Sequence, residues 1–496
     1  MKKIFLLLIA LVFISWNTTA QNQQIIVGTN SINANEIILV AERSASTTIQ
    51  FNFNELNLIE ISTDYGLASK MSSAKAPLMA EEGSPELVYL PTTIIIPDVG
   101  TAELEIIYGA YIEFENIEII PSKGRLTRNI DPATVPYSKG EVYNTNTFFP
   151  GTLATLNEPF IMRDVRGQTI FAYPVQYNPV TKILRIYSTL TVQVNYTENE
   201  GVNEFTTQRR SSTIDPVFNQ MYNSLFINHT SLSRVYPTEE QGELLIIAHP
   251  AFMDAMKPYI DWKRTSGRNT TMVSTITTGT TATQIKTYIS NYYNAPENNL
   301  AYVLFVGDSP QIPPHGTTSV PSDVVYGQLA GTDPYLEILV GRISAENVAQ
   351  VQTQVQRAIH YERDLTTADT WLSTAMGIAR NEGAGQGHED GEADYVHMNN
   401  IRTRLLNYGY GTVYQDYDRN CPGVPNTSTT QISQRINGGV GMINYCNHGL
   451  YQSWSVVGYS NSEVNQLQNA GKLPYIFSVA CLNGRFTYSL PCFAEA

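Results

Sequence analysis

From Glu243 onward the sequence keeps switching period, and that alternation limits the fold more than any other feature. Apolar runs of strand length recur: "ELLIIAHP", "LAYVLFVGD", "LEILVGRIS", "STAMGIARNEG", "GTVYQDYD", "GVGMINYCNHG" and "LPYIFSVACLNG". Between them lie segments with helical spacing, among them "AFMDAMKPYIDWKRTSG", where Pro258 is expected to kink the helix, "ATQIKTYISNYYN", "NVAQVQTQVQRAIHYERD" and "SEVNQLQNA". Strands apolar on both faces and joined by helices predict an α/β fold, a mostly parallel sheet with helices on both faces. Ligands of such sheets bind beyond the carboxyl ends of the strands. Asp308, Glu382, His448 and Cys481 all stand at such ends. They are expected to converge on one edge.

The preceding part follows a different grammar. "TTIIIPDVGTAELEIIYGAYIEFENIEII" and "KILRIYSTLTVQVNYT" alternate apolar and polar residues, as half-buried strands do. This predicts a β-rich domain over 21–234, ended by the aperiodic linker "HTSLSRVYPTEEQGE". The first twenty residues, "MKKIFLLLIALVFISWNTTA", read as a signal peptide cleaved after Ala20, so the mature chain is expected to be secreted or held at the cell surface. At 496 residues the chain is too long for one compact domain. Its formal charge of −14 argues against nucleic acid as a partner, since phosphate binding needs a basic face. No later stretch has the length of a transmembrane helix. All four cysteines, Cys421, Cys446, Cys481 and Cys492, fall in the last quarter, which excludes a disulfide scaffold.

His448 and Cys481 end two strands joined by one helix, which makes their strands neighbours or near-neighbours. Imidazole takes the thiol proton, and the thiolate is the attacking species. Gly449 leaves room for a substrate carbonyl. Its amide and that of Cys481 are candidate oxyanion donors, each worth roughly 3 kcal/mol.

On these motifs the chain resembles the gingipains, especially the Arg-specific ones, within a cysteine peptidase clan that includes caspases and legumains. The similarity rests on "KLPYIFSVACLNGRFTYSLPCFAEA", "DVVYGQLAGTDPYLEILVGRIS" and "RAIHYERDLTTADTWL". "RDVRGQTIFAYPVQYNPVTK" is similar to the gingipain propeptide. The resemblance implies a caspase-like catalytic domain over 235–496, continuing in the family beyond the position of Ala496. It implies a zymogen of a cysteine endopeptidase that cleaves after Arg. Glu382 would orient His448, and Asp394 would floor the arginine pocket. Two structural calcium sites are implied. Asp308, Asp333 and Glu337 with the carbonyls of Ala330 and Tyr335 would form one; Glu392, His397, Glu495 and the Phe486 carbonyl would form the other. No catalytic metal is expected. The propeptide is expected to cover the cleft as an inhibitor, with a basic residue over Asp394. It would be removed by a cut after Arg234, with Arg209 and Arg210 as an earlier site. The chain departs from the family pattern at Cys446-Asn447, where Thr-Gly is usual. Two rival readings are a processing peptidase that trims sorting signals within a secretion machine, and an inactive surface protein used for adhesion or assembly.

Overall fold

The computed structural model describes residues 22–26, 35–127, 130–206, 213–230, 238–317, 320–384 and 391–496. Between Glu36 and Thr197 the chain forms antiparallel sheets. In the largest, Glu36–Arg43, Ser46–Asn52, Thr189–Thr197 and Thr101–Tyr108 lie side by side in that order. The period-two pattern has the expected result: Leu190, Val192 and Val194 point one way into a core shared with Ile49, Phe51, Ile94 and Leu184. Helix Pro216–Leu225 comes next, with Asp215 as its N-cap and Pro216 in its first turn.

After residue 238 the architecture is α/β, as the alternation predicts, but the strands divide between two sheets. The first orders Thr270–Ser274, Glu243–Ala248, Leu300–Val306 and Leu339–Ile343, all parallel. Helices Met253–Thr265 and Val348–Ile359 cover one face, and Ala282–Asn294 covers the other. The helix from Met253 continues through Pro258. The second sheet orders Thr412–Asp418, Thr374–Arg380, Met442–Cys446 and Tyr475–Val479, again all parallel. Ile432 and Ile436 of helix Thr429–Gly438 pack on one face, and Met398 of helix Asp394–Tyr408 packs on the other.

Two expectations change. The predicted helix in "SEVNQLQNA" forms only over Asn461–Val464, because the Asn/Gln-rich run beyond it has few apolar side chains to bury. Strand Tyr475–Val479 is exposed along its length rather than covered on both faces. It lies at the sheet edge and pairs, among the described residues, with Met442–Cys446.

In both sheets the second strand in sequence lies outside the first, and the third and fourth lie on the other side. Each sheet therefore has a switch point between its first and third strands, where an open α/β sheet forms a crevice. In the second sheet that point lies between Thr374–Arg380 and Met442–Cys446. These are the strands that lead to Glu382 and His448.

The described contacts between the β-rich half and the α/β half gather on the first sheet. Arg163 is buried, and its Nη1 donates to the carbonyls of Leu300 (2.6 Å) and Glu337 (3.2 Å). Its Nη2 donates to Asn299 Oδ1 at 2.9 Å. Phe160, Phe218, Tyr222 and Phe226 form one apolar cluster with Ala301. Phe160 stacks on Tyr335 with ring centroids 3.8 Å apart.

Candidate active site

The end of strand Met442–Cys446 is paired with the end of Tyr475–Val479, Cys446 opposite Val479. His448 and Cys481 each lie two residues beyond that last pair. Parallel register thus brings both residues to the same edge of the sheet. His448 Nε2 lies 3.4 Å from Glu382 Oε1, which leaves Nδ1 for a partner on the other side of the ring. Glu382 lies just past the end of the neighbouring strand Thr374–Arg380. Its second oxygen faces Arg419 Nη1 at 3.2 Å. The carboxylate is therefore held between the imidazole and a guanidinium, the placement needed to orient an imidazole.

Cys481 is exposed, whereas Cys421, Cys446 and Cys492 are buried and all four are free thiols. Burial pushes the Cys421 thiol up to about 11, and burial followed by the nearby Glu495 carboxylate pushes Cys492 to about 12. Exposure thus singles out Cys481 as the accessible thiol of the four. Its Sγ lies 3.4 Å from the Gly449 carbonyl oxygen. Gly449 is required by close approach: a Cβ there would stand 2.7 Å from Ala480 Cβ and 2.9 Å from Asn483 Oδ1.

Two site residues escape the sequence reading. Asn483, two residues past Cys481, is buried. Its Nδ2 donates to the carbonyls of Leu450 (2.7 Å) and Ser453 (2.9 Å), tying the cysteine loop to the hairpin after His448. Asn447 is also buried and donates to Asp394 Oδ2 at 2.7 Å. The departure from the family pattern at 446–447 was the signal for the second. Asp394 itself is fully buried in the first turn of helix Asp394–Tyr408, and its backbone N–H donates to the Glu382 carbonyl at 2.9 Å.

Asp308 does not join the others on that edge. It lies just past Leu300–Val306 of the first sheet, and Ser344 Oγ bridges it to Glu495, at 3.3 and 2.6 Å. The Phe486 carbonyl lies beside it, accepting from Ser309 Oγ at 3.4 Å. Asp308 is also separated from Glu337. The Glu337 carbonyl shares Arg163 with that of Leu300, at the amino end of the strand. Asp308 lies at its carboxyl end, roughly 20–25 Å away at strand rise. The two implied cation sets are thus regrouped: Asp308 lies with Phe486 and Glu495, while Glu392 pairs with His397 at 2.9 Å. Among the described residues no group of three or more His, Cys, Asp or Glu side chains is arranged to hold a metal ion. Glu337 remains unusual. It is fully buried; Oε2 accepts from the N–H groups of Leu329 (2.6 Å) and Ala330 (2.9 Å), and Oε1 has no hydrogen-bond partner. Burial raises its carboxyl to about 7. Ala20, Arg209, Arg210 and Arg234 lie outside the described residues.

Fold and site together define a class: an α/β protein with a Cys-His-Glu constellation at the carboxyl edge of a parallel sheet. The chain belongs to peptidase family C25, whose profile matches residues 237–496, and the family's propeptide profile matches residues 29–232. It is 38% identical to gingipain R1 of Porphyromonas gingivalis over 94% of this chain and 46% of that one. Gingipain R2 of the same organism is 38% identical over 92% of this chain and 61% of its own length. Identity to Lys-gingipain HG66 is 26%, over 90% of this chain and 26% of the other. The chain therefore spans about half the length of the curated relatives it matches. Among solved structures, the complex of Porphyromonas gingivalis RgpB pro- and mature domains aligns at 38% identity over 51% of this chain and 59% of that one, with a TM-score of 0.49.

Proposed function

We propose that this chain is the secreted zymogen of a cysteine endopeptidase that cleaves after arginine. The observation that carries the reading is the shared edge of Cys481 and His448, with Glu382 behind the imidazole. His448 takes the Cys481 proton, and the thiolate adds to the carbonyl carbon of the scissile bond. The N–H groups of Gly449 and Cys481 receive the developing oxyanion. His448 then gives its proton to the departing amine, leaving a thioester that water hydrolyses. Asp394, buried and held by Asn447, supplies the carboxylate that pairs with a guanidinium through two parallel hydrogen bonds. Lysine offers only a point charge and is the poorer substrate. The higher identity to the R-type gingipains than to Lys-gingipain supports the same preference.

The β-rich half is the inhibitory prosegment, and Arg234, between the two matched blocks, is its release site. A calcium ion is the proposed structural cofactor of the loop with Asp333, Glu337 and the carbonyls of Ala330 and Tyr335. The unpartnered buried oxygen of Glu337 fits a hard cation, which would cross-link this loop and take no part in catalysis. The deciding experiment uses Cys481→Ala and Asp394→Asn. The first should abolish hydrolysis of arginine anilides without unfolding the protein; the second should remove most of the preference for arginine over glutamine. Retained turnover by Cys481→Ala, or its loss in Cys446→Ala alone, overturns the assignment.

A further inference from the structure

Asn447 touches both carboxylates of the site. Its Nδ2 donates to Asp394 Oδ2 at 2.7 Å and reaches Glu382 Oε2 at 3.4 Å. Its Oδ1 accepts from Ser455 Oγ at 2.8 Å. Rotating the amide by half a turn would set its oxygen against two carboxylates, so the neighbours fix its orientation. Ser455 is fixed in turn. Its N–H lies 3.1 Å from the His448 carbonyl, and its own carbonyl accepts from Arg380 Nη2 at 2.6 Å. Asn447 is 4% exposed, so water does not compete for these bonds.

We propose that Asn447 is a positioning residue that holds the pocket carboxylate and the histidine-orienting carboxylate in one geometry. The proposal rests on the function proposed above, in which Asp394 meets the arginine of the substrate and Glu382 supports His448. Through Asp394 the amide acts on binding. Through Glu382 it acts on turnover, and there more weakly, because its contact is longer and Arg419 holds the same oxygen at 3.2 Å. A residue that only filled space would not divide its effects between these two carboxylates.

The test is a pair of double-mutant cycles on the full chain and its matured product, with a small arginine anilide as substrate. Asn447→Ala should raise KM roughly ten- to a hundredfold, the range for a lost hydrogen bond to a charged group, and lower kcat by less. In the Asp394→Asn background its effect on KM should disappear. In the Glu382→Gln background its effect on kcat should disappear. Unchanged kinetics in Asn447→Ala, or effects that simply add in both backgrounds, overturn the proposal. Should Asn447→Ala fail to accumulate, Asn447→Ser keeps a polar side chain too short to reach Asp394 and enters the same cycles. Failure of the wild-type protein to cleave arginine anilides overturns the functional reading itself. Failure of the cycles alone leaves that reading standing.

Discussion

At the scale of single residues, exposure separates four chemically identical thiols. Burial, joined at Cys492 by the Glu495 carboxylate, pushes the Cys421 and Cys492 thiols up to about 11 and about 12 and leaves them protonated at neutral pH. Native protein treated with iodoacetamide at pH 8 should therefore be carboxamidomethylated at Cys481 first, with loss of activity in step, as read by peptide mass spectrometry. Rapid modification of Cys421 or Cys492 in folded protein would contradict the burial described. The sequence expects His448 and Cys481 at the ends of neighbouring strands, and each lies two residues past a pair of the parallel ladder. It could not place Asn447, because an asparagine before a histidine looks the same whether it faces water or two carboxylates.

At the scale of elements, the site depends on two loops that leave neighbouring strands and are pinned together. Asn483 is the pin, reaching the carbonyls of Leu450 and Ser453 from the loop after Cys481. Asn483→Ala leaves both carbonyls without this donor and frees the cysteine loop. Chemical denaturation should show a loss of about 1–3 kcal/mol, with kcat reduced more than KM because the thiol is displaced rather than the pocket. A variant as stable and active as wild type would mean the hairpin holds its shape unaided. The strands and most helices are legible from hydrophobic period alone. The short helix Asn461–Val464 shows the limit, since a polar run keeps helical spacing without an apolar face to hold it.

At the scale of the whole molecule, the two halves are joined on the first parallel sheet, by Arg163 and an aromatic cluster. Arg163→Met removes a buried cation from three acceptors. The dissociation constant of separately produced prosegment for the mature half should rise at least roughly thirtyfold, as titrated by inhibition. Equal inhibition by wild-type and variant prosegment would show that this contact adds nothing to affinity. The same interface grips the proposed calcium loop: Ile161 N–H donates to Asp333 Oδ2 at 2.9 Å, and Asn203 Oδ1 accepts from the Thr332 N–H at 2.9 Å. Chelation should lower the melting temperature, and the drop should be larger in the mature half than in the zymogen, where the prosegment already braces this loop. A melting temperature indifferent to chelator in both forms would remove calcium from the account.

The sequence by itself determined the change from β-rich to α/β grammar, the parallel strands and the chemistry-bearing strand ends. These are local properties: side-chain period, turn residues and the residue types that close an apolar run. Only the tertiary structure decided how the strands are shared out. It divided them between two sheets, placed Glu382, His448 and Cys481 on one, and left Asp308 on the other. It also regrouped the candidate calcium ligands and set Asn447 between Asp394 and Glu382, 53 and 65 residues away. Those outcomes depend on which strands pair and in what register, and strand pairing is a relation between distant segments that neither segment encodes alone.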